Sequence, residues 1–458
     1  MSRKLPAGGG SIDASTAPYA NATARRSLAA VLAGHCNVLL VLLFVGIHTG
    51  LSVEVLTHYL LSLIAAVWIV YLLRSRIVAD VQKWFLWFFG ATAFICVMSA
   101  VEGTKDYAFA VHGAMTFQYN FFIGFSAYYA FMQIGLRRIR KTFFWIAIIL
   151  VVGAWLEVIG IVKPLSDWFR ESTILGFVYD ADARDLFQYG AVRPKFFASE
   201  PSLLGMSIAI SIFLWLGSYR AWPPTKELAK AGVLLVLGLY FVRSPTIIFG
   251  PVAYVLLQAT VLARTQTSRL RRLAFRCTPW IYAAIITLFP LIFMYILLTD
   301  PHPPKYILTS SFFERVIEPY LFVLKVMQVH PFFGVGLLDD NALTNLAIQA
   351  AGPFGKIFLG GGIQGALLLG QRVSNALWNV FISFGVAGSA ILIYFLSRLM
   401  RLLKSPLSLF SFVPIICFTF WQGYGRVNLP AAWFVLFAAI ALCSLRMNAE
   451  AARQGTGV

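Results

Sequence analysis

Apolar positions fall in long uninterrupted runs, with neither the alternation of a strand nor the narrow stripe of a surface helix. The runs lie near 28–50, 53–73, 84–101, 113–135, 142–162, 203–219, 231–243, 247–263, 278–299, 377–397, 406–421 and 429–446. Most reach the roughly 17–25 residues that a helix needs to cross about 30 Å of hydrocarbon. In that solvent every backbone N–H and C=O must be satisfied within the protein, and a helix does this alone. The pattern predicts an all-α polytopic integral membrane protein with about twelve transmembrane helices. A flexible tail over 1–27 precedes a helical domain over 28–446, and a second tail covers 447–458. No charged-then-apolar leader with a cleavage site precedes the first run, which reads as a retained helix.

Composition agrees with the pattern. Hydrophobic residues make up 59% of the 458, charged residues 12%, and mean hydropathy is +0.77. A soluble fold of this length could not cover its surface with so few polar side chains. Lys and Arg number 37 against 19 acids, a net charge of +18. The excess gathers in alternate connections: Arg25-Arg26, Arg74 to Lys83, Arg137 to Lys141, Arg220 to Lys230, Arg264 to Arg276, Arg398 to Lys404, and Arg446 with Arg453. By the positive-inside rule these connections and both termini are cytoplasmic. No zinc finger, RNA-binding signature or soluble basic domain is present, so the charge implies no nucleic-acid partner. The five cysteines lack CxxC spacing and read as small apolar side chains, without a disulfide framework or metal site.

Two long connections, 163–202 and 300–376, fall on the other, extracytoplasmic face. Loops of this length are usually functional or disordered. These carry aromatic and apolar stretches, so they are expected to fold onto the bundle and hold the function. The first contains Asp180, Asp182 and Asp185, then Arg193-Pro194-Lys195-Phe196-Phe197-Ala198-Ser199-Glu200-Pro201-Ser202 leading into a run. Pro201 suits the first turn of a helix, with Glu200 and Ser199 as caps. Capping is compatible with a second reading, in which Arg193 and Glu200 face a cavity at the outer membrane surface. The second loop contains Arg315 and a proline-initiated apolar stretch over 319–329, read as a helix lying in the interface or packed on the bundle. His330-Pro331-Phe332-Phe333-Gly334-Val335-Gly336 follows; the simpler reading of His330 is a helix-end residue before a proline stop. Arg243, with Ser244-Pro245-Thr246 after it, ends a short run and is expected at membrane depth, where an arginine is costly unless it meets a wet cavity or a partner. The glycine-rich stretch 352–370 lacks a phosphate-loop pattern and reads as a lid or re-entrant segment. Nothing in the motifs asks for a metal, nucleotide or other cofactor.

The string His330 to Gly336, preceded by Arg315, resembles the O-antigen polymerase and O-antigen ligase superfamily. The run Arg193 to Gly205, with Glu-Pro-Ser ahead of a span, looks like the corresponding first-loop motif. The resemblance covers roughly residues 190–445. It implies a GT-C-like architecture in the bacterial inner membrane, and a metal-independent glycosyltransferase acting on undecaprenyl-diphosphate-linked glycans at the periplasmic face. The implied partners are the lipid-linked oligosaccharide, membrane lipids, a flippase and a chain-length regulator. Ligases of the family carry a His, then Asn, Ser or Gln, nine residues and Gly-x-x-Gly. Here Ser374-Asn375 is followed at that spacing by Gly385-Val386-Ala387-Gly388. Serine in place of histidine favours a polymerase over a ligase.

In such a reaction negative charge grows on the departing diphosphate, and arginine forks can meet it without a metal. Arg193, Arg243 and Arg315 are the candidates for that role. Glu200 or His330 is the candidate base for the acceptor hydroxyl. Lys195, Asn375 and Arg426 are further candidates. The competing reading is a multi-pass transporter or flippase. It would favour repeated halves and mid-helix charges; the chain shows no such repeat, and apart from Arg243 and Glu157 its spans are nearly charge-free.

Overall fold

The computed structural model describes residues 17–51, 59–104, 107–171, 185–186, 190–299, 318–337, 375–423, 427 and 429–455. Among these the chain is helical, with no strand. The helices are α1 (Ala17–Thr49), α2 (Leu60–Leu73), α3 (Ala79–Ser99), α4 (Tyr107–Val158), α5 (Lys163–Glu171), α6 (Pro201–Gly217), α7 (Thr225–Val242), α8 (Phe249–Thr265), α9 (Arg269–Thr299), α10 (Glu318–Val329), α11 (Ala376–Leu402), α12 (Leu409–Phe412), α13 (Phe420–Gly423) and α14 (Pro430–Gly455). Seven segments among the described residues are long and apolar enough to cross a membrane: Ala29–Thr49, Ala79–Glu102, Ala110–Val158, Pro245–Arg264, Arg269–Ile292, Ala376–Leu402 and Pro430–Glu450. The protein is an all-α membrane protein. Several of the twelve apolar runs form shorter helices: α2 has 14 residues and α6 has 17. The run 406–421 breaks into α12, a π turn over Val413–Cys417, and α13.

α4 is two arms. Gly135 breaks it at φ 73°, ψ 166°. Phe131 and Phe143 lie on either side of the break, and their rings stack 5.9 Å apart. In a continuous helix these residues would be about 18 Å apart along the axis, so the chain folds back at Gly135. This fits the two runs 113–135 and 142–162 with a basic turn between them. α1 runs beside the second arm: Arg138 donates to the Ala30 carbonyl, Thr142 to Asn37 Oδ1, and Phe44 meets Phe143 edge-on.

α14 is the central helix, with 89% of its apolar window buried. Trp433 and Phe437 pack against Phe117, Phe121 and Phe125 of the first α4 arm. Such edge-to-face pairs add about 0.5–1.5 kcal/mol each beyond their buried area. The two helices approach closely at Gly124, where an added Cβ would stand 2.6 Å from the Trp433 carbonyl carbon.

Contacts also sort the connections into two ends. At one end Arg140 of the basic turn lies on Tyr219, Lys230 lies over Phe144, Tyr128 donates to the Leu403 carbonyl, and Arg446 donates to the Arg220 carbonyl. The far ends of both α4 arms lie at the opposite pole. There Gly113 packs on Leu337, and Glu157 holds the backbone before α6. Segments from both long connections therefore sit at the pole away from the basic turns.

Gly124→Ala should lower the melting temperature of the purified protein, because the methyl would wedge α4 from α14 at a cost of about 1–3 kcal/mol. Gly90→Ala is the control: an added Cβ there meets nothing within 4 Å, and the helix propensity gain should leave stability equal or higher. Thermal unfolding in detergent checks both.

Candidate functional site

The backbone leading into α6 is held by three side chains from the bundle. Glu157, 5% exposed near the end of the second α4 arm, accepts at Oε2 from the Lys195 N–H at 3.1 Å and from the adjacent Phe196 N–H. Its Oε1 accepts from Ser166 Oγ at 3.3 Å and faces Arg170 at 3.9 Å. Ser166 Oγ in turn accepts from the Phe197 N–H at 3.1 Å. From α1, His48 donates at Nε2 to the Phe196 carbonyl (2.8 Å), while its Nδ1 lies 2.9 Å from Ser207 Oγ of α6. Gly153 has no side chain where the Phe196 ring sits. Satisfying these groups matters because an irregular backbone is tolerated at membrane depth only when protein or a wet cavity supplies partners.

This scaffold places the candidates of the first loop. Arg193 is 7% exposed and donates to Asp185 Oδ1 at 2.8 Å; Asp185 is fully buried. Lys195 is 3% exposed. Pro201 occupies the first turn of α6, and Glu200 is its N-cap with extended backbone, φ −147°, ψ 157°. The capping expectation holds for the backbone alone. The Glu200 carboxylate caps no N–H and instead accepts from Ser202 Oγ.

Arg243 closes α7 in the left-handed conformation, φ 52°, ψ 38°, its N–H bonded to the Leu239 carbonyl at 3.1 Å. Pro245 then prevents the helix from continuing. The following turn docks on the start of α6. Thr246 Oγ1 donates to the Ser202 carbonyl (3.5 Å) and pairs with Ser244 Oγ at 2.8 Å, and both hydroxyls crowd Gly205, where a Cβ would stand 2.6 Å from Thr246 Oγ1. Arg243 is therefore followed at once by backbone docked on the first turn of α6, the turn that Glu200 caps. Five non-glycine residues among those described have positive φ, and three of them are Phe196, Phe197 and Arg243. Each costs about 1–2 kcal/mol, and strain of this kind concentrates at functional sites.

The second loop is held in a similar way. α10 packs on α11 through Tyr320 and Trp378, whose rings are 4.3 Å apart, so the 319–329 stretch is a helix on the bundle. His330 ends it, its N–H bonded to the Val326 carbonyl at 2.6 Å. Its Nδ1 is enclosed without a hydrogen-bond partner among the described residues. After it the chain docks into a break in α11 at Gly385 (φ 60°, ψ −165°). The Val335 and Gly336 N–H groups donate to the Ile382 and Ser383 carbonyls, both at 3.0 Å. In return the Val386 and Ala387 N–H groups donate to the Pro331 and Phe332 carbonyls, both at 2.9 Å. Gly334 and Gly385 stand back to back at positive φ, where a Cβ on either would meet the other's nitrogen at 2.7 Å. Glu102 completes the joint, its two oxygens accepting from the Phe332 and Phe333 N–H groups at 3.3 and 2.7 Å.

The glycines of both family-like strings thus meet as one backbone interlock. Asn375 caps α11, its Oδ1 accepting from the Trp378 N–H at 3.2 Å. Arg315, Arg426, Ser374 and the stretch 352–370 lie outside the described residues; beside Arg426, the Val427 N–H donates to Asn379 Oδ1 at 2.9 Å. The structure joins Arg193, Lys195, Glu200 and Arg243 through neighbouring backbone. It sets His330 on the α3–α11 side, at the same pole.

Sequence reasoning passed over Glu102 and His48, and treated Glu157 only as an exception to charge-free spans. Their signal was available: with 19 acids in the chain, each one inside or ending an apolar run is a functional or structural candidate. No group of three or more His, Cys, Asp or Glu side chains able to hold a metal occurs among the described residues. No protein-family model, curated protein or solved structure matches the chain.

Glu157→Ala should leave the Lys195 and Phe196 N–H groups without their acceptor, at about 1–3 kcal/mol for a buried donor. Amide exchange at 195–197 is expected to accelerate tenfold or more, with exchange in α14 unchanged. Equal protection in variant and wild type would show that Glu157 does not hold this loop.

Proposed function

We propose that the protein is a polysaccharide polymerase of the O-antigen or exopolysaccharide type. It transfers a glycan from a polyprenyl-diphosphate carrier to a sugar hydroxyl of a lipid-linked acceptor. The observation that supports this most is the docking of the Ser244–Thr246 turn on Ser202 and Gly205. That turn directly follows Arg243, at the left-handed end of α7, and docks on the helix turn that Glu200 caps. The finer architecture belongs to the same reading: about twelve spans in a GT-C-like arrangement, both termini cytoplasmic, and the site at the periplasmic face of the inner membrane.

The chemistry follows from charge and position. The acceptor hydroxyl oxygen attacks the anomeric carbon, and the bond from that carbon to the diphosphate oxygen breaks. The polyprenyl diphosphate leaves with the electron pair. Arg243 meets the growing negative charge with a planar fork, which matches two phosphate oxygens. Arg193, oriented by Asp185, lies on the same stretch as Glu200 and supports the same charge, and Arg315 of the second loop completes the set. Glu200 takes the hydroxyl proton. It is preferred over His330 because it adjoins the Arg243 turn, whereas His330 ends α10 and packs toward α11. The polyprenyl tail enters sideways between helices.

Purified protein given lipid-linked repeat units in the presence of a chelator should extend them into polymer. Arg243→Ala and Arg193→Ala should each reduce chain growth by at least 100-fold, the scale of losing one preorganised charge-stabilising group, with melting temperature maintained for Arg243→Ala. Lysine at position 243 should rescue poorly, because an ammonium cannot form the fork. Normal polymer yield in both alanine variants contradicts the mechanism, and substrate movement without chain growth identifies a carrier instead.

A further inference from the structure

The pole opposite the proposed catalytic site contains a cavity of about 570 Å³, within the range of ligand pockets. Its lining is Arg137, Arg138, Arg140, Lys141 and Lys230, with Glu227 and the aromatic side chains Phe144 and Tyr219; the fully buried Trp215 packs behind Phe144. Five cations face one carboxylate. That carboxylate is already engaged: Lys230 donates to Glu227 Oε1 at 2.8 Å, and this bond holds the Glu227 carboxyl below its ordinary range. Arg138 turns away to the Ala30 carbonyl, 3.3 Å from Nη2. Arg140 lies with its guanidinium 4.4 Å from the Tyr219 ring centroid, an arrangement that fixes the plane of its fork. Arg137 and Lys141 are exposed and have no hydrogen-bond or ion-pair partner among the described residues.

The positive-inside rule explains basic residues in this turn, but not their arrangement around a hollow. The fold at Gly135 turns 137–141 toward Tyr219, between α6 and α7, and toward Lys230 in the first turns of α7. The result is a concave surface with uncompensated like charges. These repel one another over distances shorter than the roughly 8–10 Å screening length. An occupant carrying concentrated negative charge relieves that repulsion. Forks and ammonium groups select tetrahedral oxyanions, and the aromatic wall suits a ligand with an apolar part.

We propose that this cavity binds a phosphate-bearing anion, with Arg137, Arg140 and Lys141 on its phosphate oxygens and Phe144 and Tyr219 against its apolar part. Basic pockets between helices at a membrane surface bind anionic lipid headgroups by the same chemistry. A soluble diphosphate offers the same oxygens without the apolar part. The site is independent of the proposed polymerase reaction and stands at the other end of the bundle.

The test uses the full chain, delipidated in neutral detergent, with binding read by native mass spectrometry. Dioleoyl phosphatidylglycerol, dioleoyl phosphatidylcholine and inorganic pyrophosphate are the three probes. Wild type should bind phosphatidylglycerol at least tenfold more tightly than phosphatidylcholine, and the double variant R137Q/K141Q should bring the two within twofold. Both side chains are exposed and partnerless, so the double variant should keep its melting temperature; if it does not fold, the single substitutions carry the test with about a threefold loss each. Preference for phosphatidylglycerol without pyrophosphate binding assigns the site to a lipid headgroup. Pyrophosphate binding that the variant loses assigns it to a soluble phosphate. Either upholds the anion site. Wild type that binds neither phosphatidylglycerol more tightly than phosphatidylcholine nor pyrophosphate, or variants that bind as wild type does, overturn it.

Discussion

Irregular backbone inside a low-dielectric bundle must have its N–H and C=O groups satisfied by the protein, and this constraint shapes both loop segments. In each case a carboxylate from the bundle accepts two consecutive amide protons. Glu157 takes those of Lys195 and Phe196, and Glu102 takes those of Phe332 and Phe333. Hydrogen bonds to an ionised acceptor are roughly twice as strong as neutral ones, so one acid can fix a stretch that forms no helix. Glu157, His48 and Ser166 are the side chains that hold Phe196 and Phe197 at positive φ. Without that stretch, Arg193 and Glu200 would have no defined place relative to Arg243.

The same constraint gives the glycines their meaning. The break at Gly385 leaves carbonyls and N–H groups without helical partners in α11, and the segment after His330 supplies them with its own backbone. Two chains can approach this closely only where neither has a Cβ, which is why Gly334 and Gly385 face one another. The glycines of His330–Gly336 and Gly385–Gly388 therefore have a structural role before any catalytic one. Catalysis is proposed instead at the α6–α7 junction, where Arg243 and Glu200 lie on adjoining backbone.

Much of this architecture was legible in the sequence. Apolar runs mark the helices, seven of which among the described residues are long and apolar enough to span, and the basic turns Arg137–Lys141 and Arg220–Lys230 meet at one pole. Pro201 marks the start of α6, and Pro245 the end of α7. The anchors were harder to see because their partners are backbone groups, which carry no residue identity. Glu102 lies 230 positions from Phe332, and His48 lies 148 from Phe196; neither pairing has a periodicity that a local pattern could reveal. The inward turn of the basic residues was hidden for a related reason. Sequence indicates which side a charge favours, whereas the hollow depends on the fold at Gly135 and the packing of α6 on α4.

A structure with a lipid-linked diphosphate glycan bound would test the central claim most directly. The account predicts the diphosphate within hydrogen-bonding distance of the Arg243 guanidinium, with the anomeric carbon facing Glu200 at the start of α6. A diphosphate seated away from the α6–α7 junction, with Arg243 and Glu200 both out of reach, would contradict it.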